Sequence, residues 1–80
     1  MSAKQTTIDL RLFSSLVRFQ PVDAGQYRIE PGVTIEQVLV RLAIPLAEAK
    51  LIFVNGVKRD LETILMGGER VGIFPPVGGG

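Results

Sequence analysis

From Thr7 to Leu12 polar and apolar side chains alternate, with Thr7, Asp9 and Arg11 on one set of positions and Ile8, Leu10 and Leu12 on the other. A period of two sends successive side chains to opposite faces, so this segment predicts a first strand with one buried face. The stretch from Ser14 to Gly25 is broken by Pro21, Asp23 and Gly25 and reads as a loop in which Leu16, Val17 and Phe19 fold some apolar surface back. Gln26 to Glu30 reads as a second strand. After Pro31 and Gly32, Thr34 and Gln37 have the spacing of a capping box, and Val33 and Val38 that of a hydrophobic staple. Ile35, Val38, Leu39 and Leu42 then recur at i, i+3, i+4 and i+7, one apolar stripe for packing on a sheet. Pro45 is expected to stop this helix near Ala43 or Ile44, after roughly two and a half turns.

Leu51 to Val54 is a continuous apolar run that meets Asn55-Gly56, the dipeptide best suited to a type I′ hairpin turn. Asp60 to Met66 reads as a short connection with one turn of helix, and Gly67-Gly68 as a turn. Arg70 to Phe74 is the last strand, with Val71 and Ile73 facing inward. The order of two strands, one helix and two or three strands defines an α+β class. With a right-handed crossover and the first and last strands adjacent, it is the β-grasp, or ubiquitin-like, arrangement. The expectation is a mixed sheet of four to five strands with one main helix packed on one face. Residues 1–80 form a single domain, of which 75–80 are a flexible C-terminal glycine tail.

Composition removes most self-contained enzyme chemistry. The 80 residues contain no Cys and no His, so there is no thiolate nucleophile, no disulfide, no soft metal site and no imidazole base. Serine occurs only at Ser2, Ser14 and Ser15, with nothing of the usual kind to activate it. The formal net charge is +1, and the basic residues are scattered singly or in one pair, without the footprint of a nucleic-acid binder. The apolar runs are too short to span a bilayer and the start lacks a signal-peptide core, which makes cytoplasmic the default. No metal site and no permanently bound cofactor is expected.

The sequence closes on IFPPVGGG. Without a Cβ, Gly78, Gly79 and Gly80 can enter backbone regions and narrow slots closed to other residues. Extended at about 3.3–3.6 Å per residue, the chain from Pro75 to Gly80 reaches roughly 20 Å. Such an end suits threading into another protein's active site, and the reacting group would be the Gly80 carboxylate. Pro75 and Pro76 would set the departure angle, since proline fixes φ near −65° and has no N–H for a ladder. Phe13 falls in register with Thr7, Asp9 and Arg11, and Phe74 with Arg70 and Gly72, so both rings belong to the face turned from the helix. Two readings stand for Phe13: a docking patch near the base of the tail, or a strand end covered by the Leu16–Phe19 loop. For Phe74, docking is favoured by its place directly before the tail.

RLFSSLVRF, a helix ending in IP, FVNG, DLETILMGGERV and IFPPVGGG follow one another over nearly the whole chain. Together they resemble the MoaD/ThiS family of ubiquitin-like sulfur carriers, and the proline pair and long first loop are more similar to the molybdopterin type than to the thiamine type. Two departures are that Glu69 stands where the family more often has Asp and that Gly78 adds a third glycine. The resemblance implies a carrier that is a cosubstrate and not an enzyme. A ubiquitin-activating-type adenylyltransferase using ATP would convert Gly80 to an acyl-adenylate, and a persulfide sulfur donor would replace AMP to give a 1-thioglycine thiocarboxylate. Sulfur would then pass to a precursor in a synthase large subunit or a thiazole synthase. Gly78 and Gly79 would thread the tail, while Phe13, Phe74, Pro75, Pro76 and Val77 would meet the partner.

Two readings from other classes remain open: a ubiquitin-like modifier conjugated through Gly80, and a plain interaction module whose glycines only fray. Other sites are poorer. Lys58 and Arg59 read as a solvated turn flank, Glu62 and Glu69 are too isolated for paired-carboxylate chemistry, and Gly67-Gly68 lacks the context of a phosphate-binding loop.

Overall fold

The computed structural model describes residues 5–76. Seven strands and one α-helix follow in the order β1 (Thr6–Leu12), β2 (Tyr27–Ile29), β3 (Val33–Thr34), α1 (Ile35–Arg41), β4 (Leu51–Val54), β5 (Val57–Arg59), β6 (Ile64–Leu65) and β7 (Arg70–Phe74). Five of the strands make one mixed sheet in the order β2-β1-β7-β4-β5, and β3 pairs with β6 in a small ribbon. β1 and β7 run parallel at its centre with Leu10 opposite Val71 and Leu12 opposite Ile73, and the other neighbours are antiparallel. This is the β-grasp arrangement expected from the element order.

The alternation in the first strand does what its period requires. Ile8, Leu10 and Leu12 are buried with Val71, Ile73, Ile52 and Val54 from the neighbouring strands, and Ile35, Val38 and Leu39 of α1 complete the core with them. No polar or charged residue is buried among the described residues. The core is therefore held by apolar burial alone, at roughly 25 cal/mol per Å² removed from water. Between β1 and β2 the chain makes two 3₁₀ turns, Ser14–Phe19 and Ala24–Gln26. Leu16 is fully buried and Phe19 packs against the core, while Val17 is exposed, so the loop folds back through two of its three apolar side chains.

The helix start is as well specified as its sequence. Gln37 N donates to Thr34 Oγ1 at 3.2 Å and Thr34 N donates to Gln37 Oε1 at 2.8 Å, closing the capping box. Ile35 N and Glu36 N donate to the carbonyls of Thr63 and Leu61, both at 3.0 Å. The orphan donors of the first turn thus find partners from another segment. The helix ends earlier than Pro45 would dictate. Arg41 is its last residue, Leu42 caps it, and Ala43 takes φ 62°. Ala43 N donates to Val40 O at 3.0 Å and Ile44 N to Leu39 O at 2.9 Å, the hydrogen-bond pattern of a Schellman motif. Burial of Ile44 draws the chain inward at this point, and Pro45 lies beyond a stop already made.

The helical turn expected within Asp60–Met66 is absent. Asp60 Oδ1 accepts from Glu62 N at 3.1 Å and Thr63 Oγ1 at 3.3 Å, a side-chain turn that competes with helix. β6 then pairs with β3, while Leu61 and Thr63 spend their carbonyls on α1. Asn55 and Gly56 have φ 53° and 82°, as the type I′ hairpin between β4 and β5 demands.

Candidate functional site

The candidate site expected from the sequence lies at the end of β7 (Arg70–Phe74). β7 lies between β1 and β4 and is held as far as Ile73 on the β1 side and as far as Phe74 on the β4 side. Phe13 N donates to Ile73 O at 3.1 Å, and Lys50 N donates to Phe74 O at 2.9 Å. Pro75 and Pro76 follow outside the strand and have no N–H to extend either ladder. Val77, Gly78, Gly79 and Gly80 lie outside the described residues. The structure therefore fixes the base from which the glycine segment departs.

On the face turned from α1, three aromatic rings gather at this base. Phe13 and Phe74 are stacked, with centroids 4.3 Å apart and planes within 2°, and Phe53 meets Phe74 edge-on at 5.8 Å and 88°. Phe13 is 38% exposed. It is not covered by the Leu16–Phe19 turn, because Leu16 goes into the core and leaves Phe13 to pack on Phe74. Phe53 was not singled out in the sequence, where Leu51–Val54 read as an unbroken apolar run. Parity with the buried Ile52 and Val54 is the signal that assigns Phe53 to the outer face. Gly72 lies opposite Phe53 on β4 and opposite Arg11 on β1, so the rings surround a position without a side chain. Arg11, Phe13, Phe53, Gly72, Phe74 and Arg70 line one open depression there. Arg11 contacts the Asp9 carboxylate at 3.3 Å.

The start of β7 is anchored with equal care. The Glu69 carboxylate accepts from Met66 N and Gly67 N, each at 2.8 Å, which gives Glu69 a definite place in the turn. Gly67 has φ 122°, and a Cβ there would collide with the Thr6 side chain, so only glycine fits. Gly68 N donates to Thr7 O at 2.7 Å and Asp9 N to Glu69 O at 2.9 Å, tying the turn to β1. Asn55 Oδ1 accepts from Arg70 N at 2.9 Å. Through these contacts the Gly67-Gly68 turn and the Asn55-Gly56 hairpin set the register in which Phe74 meets Phe13. Lys58 and Arg59 lie on the edge strand β5, where Lys58 stands opposite Phe53. Among the described residues no three His, Cys, Asp or Glu side chains cluster as metal ligands, and no helix is long and apolar enough to cross a membrane.

A central strand followed by a proline pair, in a mixed sheet backed by one helix and open on its outer face, defines a ubiquitin-like β-grasp domain. The chain belongs to the Mut7-C ubiquitin family, whose model matches residues 5–78. Among solved structures it is similar to the Haloferax volcanii HVO 2177 protein, with 26% identity and a TM-score of 0.67 over 95% of this chain and 88% of that one. It is also similar to SAMP1 of Haloferax volcanii, at 22% identity and a TM-score of 0.63 over 92% of this chain and 99% of that one. A third similar structure is the putative molybdopterin converting factor, subunit 1, of Pyrococcus furiosus, at 19% identity and a TM-score of 0.62 over 90% of this chain and 99% of that one. No curated protein matches the chain in sequence. The ubiquitin-like kinship read from the sequence is thereby borne out.

Proposed function

We propose that this domain is a sulfur carrier whose Gly80 carboxylate is adenylated by a ubiquitin-activating-type enzyme at the expense of ATP and converted to a thiocarboxylate. A free terminal carboxylate has a pKa of about 3.3–3.7 and is ionised and poorly electrophilic at neutral pH. Adenylation supplies a leaving group: Gly80 oxygen attacks the α-phosphate and pyrophosphate leaves, the outer sulfur of a persulfide donor then displaces AMP to give an acyl disulfide, and a partner thiol reduces its S–S bond, leaving the Gly80 thiocarboxylate and a disulfide between the two thiols. The thiocarboxylate delivers sulfur to a precursor held by a synthase subunit, and the carrier returns as carboxylate. In this reading the domain is a cosubstrate, and catalysis belongs to its partners. Molybdopterin, or its tungsten equivalent, is the preferred destination and the thiamine thiazole the next.

The observation that carries the reading is the way β7 ends: hydrogen-bonded at Ile73 on one side and at Phe74 on the other, with Phe74 stacked on Phe13 and Pro75-Pro76 outside the strand, ahead of Val77 and the glycines in sequence. Likeness to a putative molybdopterin converting factor subunit supports the same direction. Gly78 and Gly79 supply the slender approach, and Phe13, Phe74, Pro75, Pro76 and Val77 meet the partner. A modifier conjugated through Gly80 is the second reading, favoured by likeness to a protein described as small archaeal modifier protein 1. The intact mass of the protein from its native cells tests both. Exchange of one oxygen for sulfur at Gly80 is expected, and conjugates through Gly80 would mark the modifier. An unmodified end during sulfur-demanding growth, or sulfur transfer retained after Gly80 is deleted, refutes the carrier.

A further inference from the structure

Asn55 is the only asparagine of the chain, and a glycine follows it. In such a pair the main-chain nitrogen of the glycine can attack Cγ of the asparagine, because no side chain obstructs the approach. The carboxamide nitrogen leaves as ammonia and a five-membered succinimide forms. Water then opens the ring. Addition at Cγ breaks the new C–N bond and leaves aspartate. Addition at the main-chain carbonyl breaks the original peptide bond and leaves isoaspartate, whose main chain runs through Cγ. Either route consumes one water and releases one ammonia.

The hairpin presents the reacting groups and holds them apart. Asn55 and Gly56 are exposed, and a Cβ built on Gly56 would meet nothing within 4 Å, so the nucleophile is open. Among the described residues the Asn55 side chain is bonded through Oδ1 alone, which leaves Nδ2 free to depart. Oδ1 accepts from Arg70 N at 2.9 Å while Asn55 N donates to Arg70 O at 2.8 Å. The side chain thereby continues the β4–β7 ladder one step past the Val54–Val71 pair. A type I′ turn sets ψ of its first central residue near about +30°, whereas ring closure needs Cγ and the next nitrogen on the same side of the Cα–C bond. Closed, the hairpin protects Asn55. Opening it costs little, because β5 is a three-residue edge strand with every side chain exposed, and such elements open well below the free energy of the whole domain.

We infer that Asn55 is a modification site, deamidated spontaneously from the opened β4–β5 hairpin, so that the folded domain accumulates a slow chemical record of those openings. The two products differ in effect. Aspartate tolerates the left-handed backbone and gives Arg70 N a charged acceptor. Isoaspartate adds one carbon to the main chain of a two-residue turn and removes that acceptor, so β5 loses its register and β7 loses a clamp at its start. The modification needs no tail chemistry, and either can fail without the other.

Incubating the full chain, folded and in guanidinium chloride, under the same mildly alkaline conditions tests the inference. The mass gain of exchanging NH₂ for OH follows conversion, and enzymatic carboxyl methylation counts the isoaspartate. Conversion at Asn55 is expected in both states, slower in the fold by about ten-fold or more. The slowing should match amide-exchange protection at Val57 and fall short of that at Leu10. Arg70→Pro removes the N–H that holds Oδ1, at the strand's first residue where proline is tolerated, and should raise the folded rate several-fold. Thermal unfolding checks that this variant folds, and where it does not the exchange comparison decides. Asn55→Asp should unfold at or above the midpoint of the parent chain, and the isoaspartyl fraction below it. Equal rates in the two states overturn the inference, as does a folded rate no greater than global unfolding allows. It is also overturned by an unchanged rate in folded Arg70→Pro, or by an isoaspartyl fraction as stable as the parent.

Discussion

Alternate residues of the same strands make the two faces of the sheet, and the faces differ in kind. Beneath α1 the positions are aliphatic and closed, with Ile8, Leu10, Val71 and Ile73 each at most 1% exposed. On the other side stand three phenylalanines, a glycine and a rim of cations. The inner face is specified by volume, because a packed interior loses both contacts and transfer free energy when a methyl group is removed. The outer face has no opposite layer to fill, so its residues are free to be chosen for what arrives from outside. Two adjacent residues of β7 therefore have unlike duties: Ile73 holds the domain together, and Phe74 shapes the place from which the tail departs.

The contrast is broken most directly by truncation on the inner face. Ile73→Ala should lower the unfolding free energy by about 2–5 kcal/mol, a large share of the ~5–15 kcal/mol typical of a small domain, as read by denaturant titration. Phe13→Ala, one position past the end of β1, should cost about 1 kcal/mol, the order of an aromatic pair. Equal losses at the two sites would show that the outer rings are a second core.

The turns that set the register come next. Gly67→Ala must place a methyl group against Thr6 in a backbone region that side chains rarely occupy, and it should cost about 2–3 kcal/mol. Glu69→Ala, which frees the amides of Met66 and Gly67, should cost about 1–2 kcal/mol after allowance for partial exposure. Thermal unfolding measures both. Because the Gly67-Gly68 turn aligns β7 with β1, amide shifts at Phe13 and Phe74 should also move in Gly67→Ala. If they stay in place, the turn does not position the aromatic base.

The inner face was legible in the sequence and the outer face only in part, for a physical reason. Burial on one side imposes a period, so Ile8, Leu10, Leu12, Val71 and Ile73 could be assigned from spacing, as could the Thr34–Gln37 cap and the Asn55-Gly56 turn, whose chemistry is local. Phe53 was hidden because an apolar residue on the open face of β4 makes the alternation read as a run. Arg11, Arg28, Lys58 and Arg70 were dispersed until strand pairing gathered them. The segment after Asp60 was read as helical because its partners, the first amides of α1 and the strand β3, are distant in sequence. Interactions that cross the fold leave no local pattern.

Gly72→Ala has the smallest expected effect on stability and the sharpest meaning. On an ordinary strand backbone, replacing glycine removes conformational freedom from the unfolded chain and stabilises by roughly 0.4–1 kcal/mol, provided that the new methyl group fits. At 3.4 Å from the Phe13 ring the added Cβ touches without overlapping, so the midpoint of unfolding should stay where it is or rise slightly. A midpoint that stays or rises would show that the outer rings can accommodate a side chain at this strand position. A loss of stability larger than that of Phe13→Ala would mean instead that Gly72 is kept so that Phe13 and Phe74 can close over it, and the outer face would then have to be counted with the core.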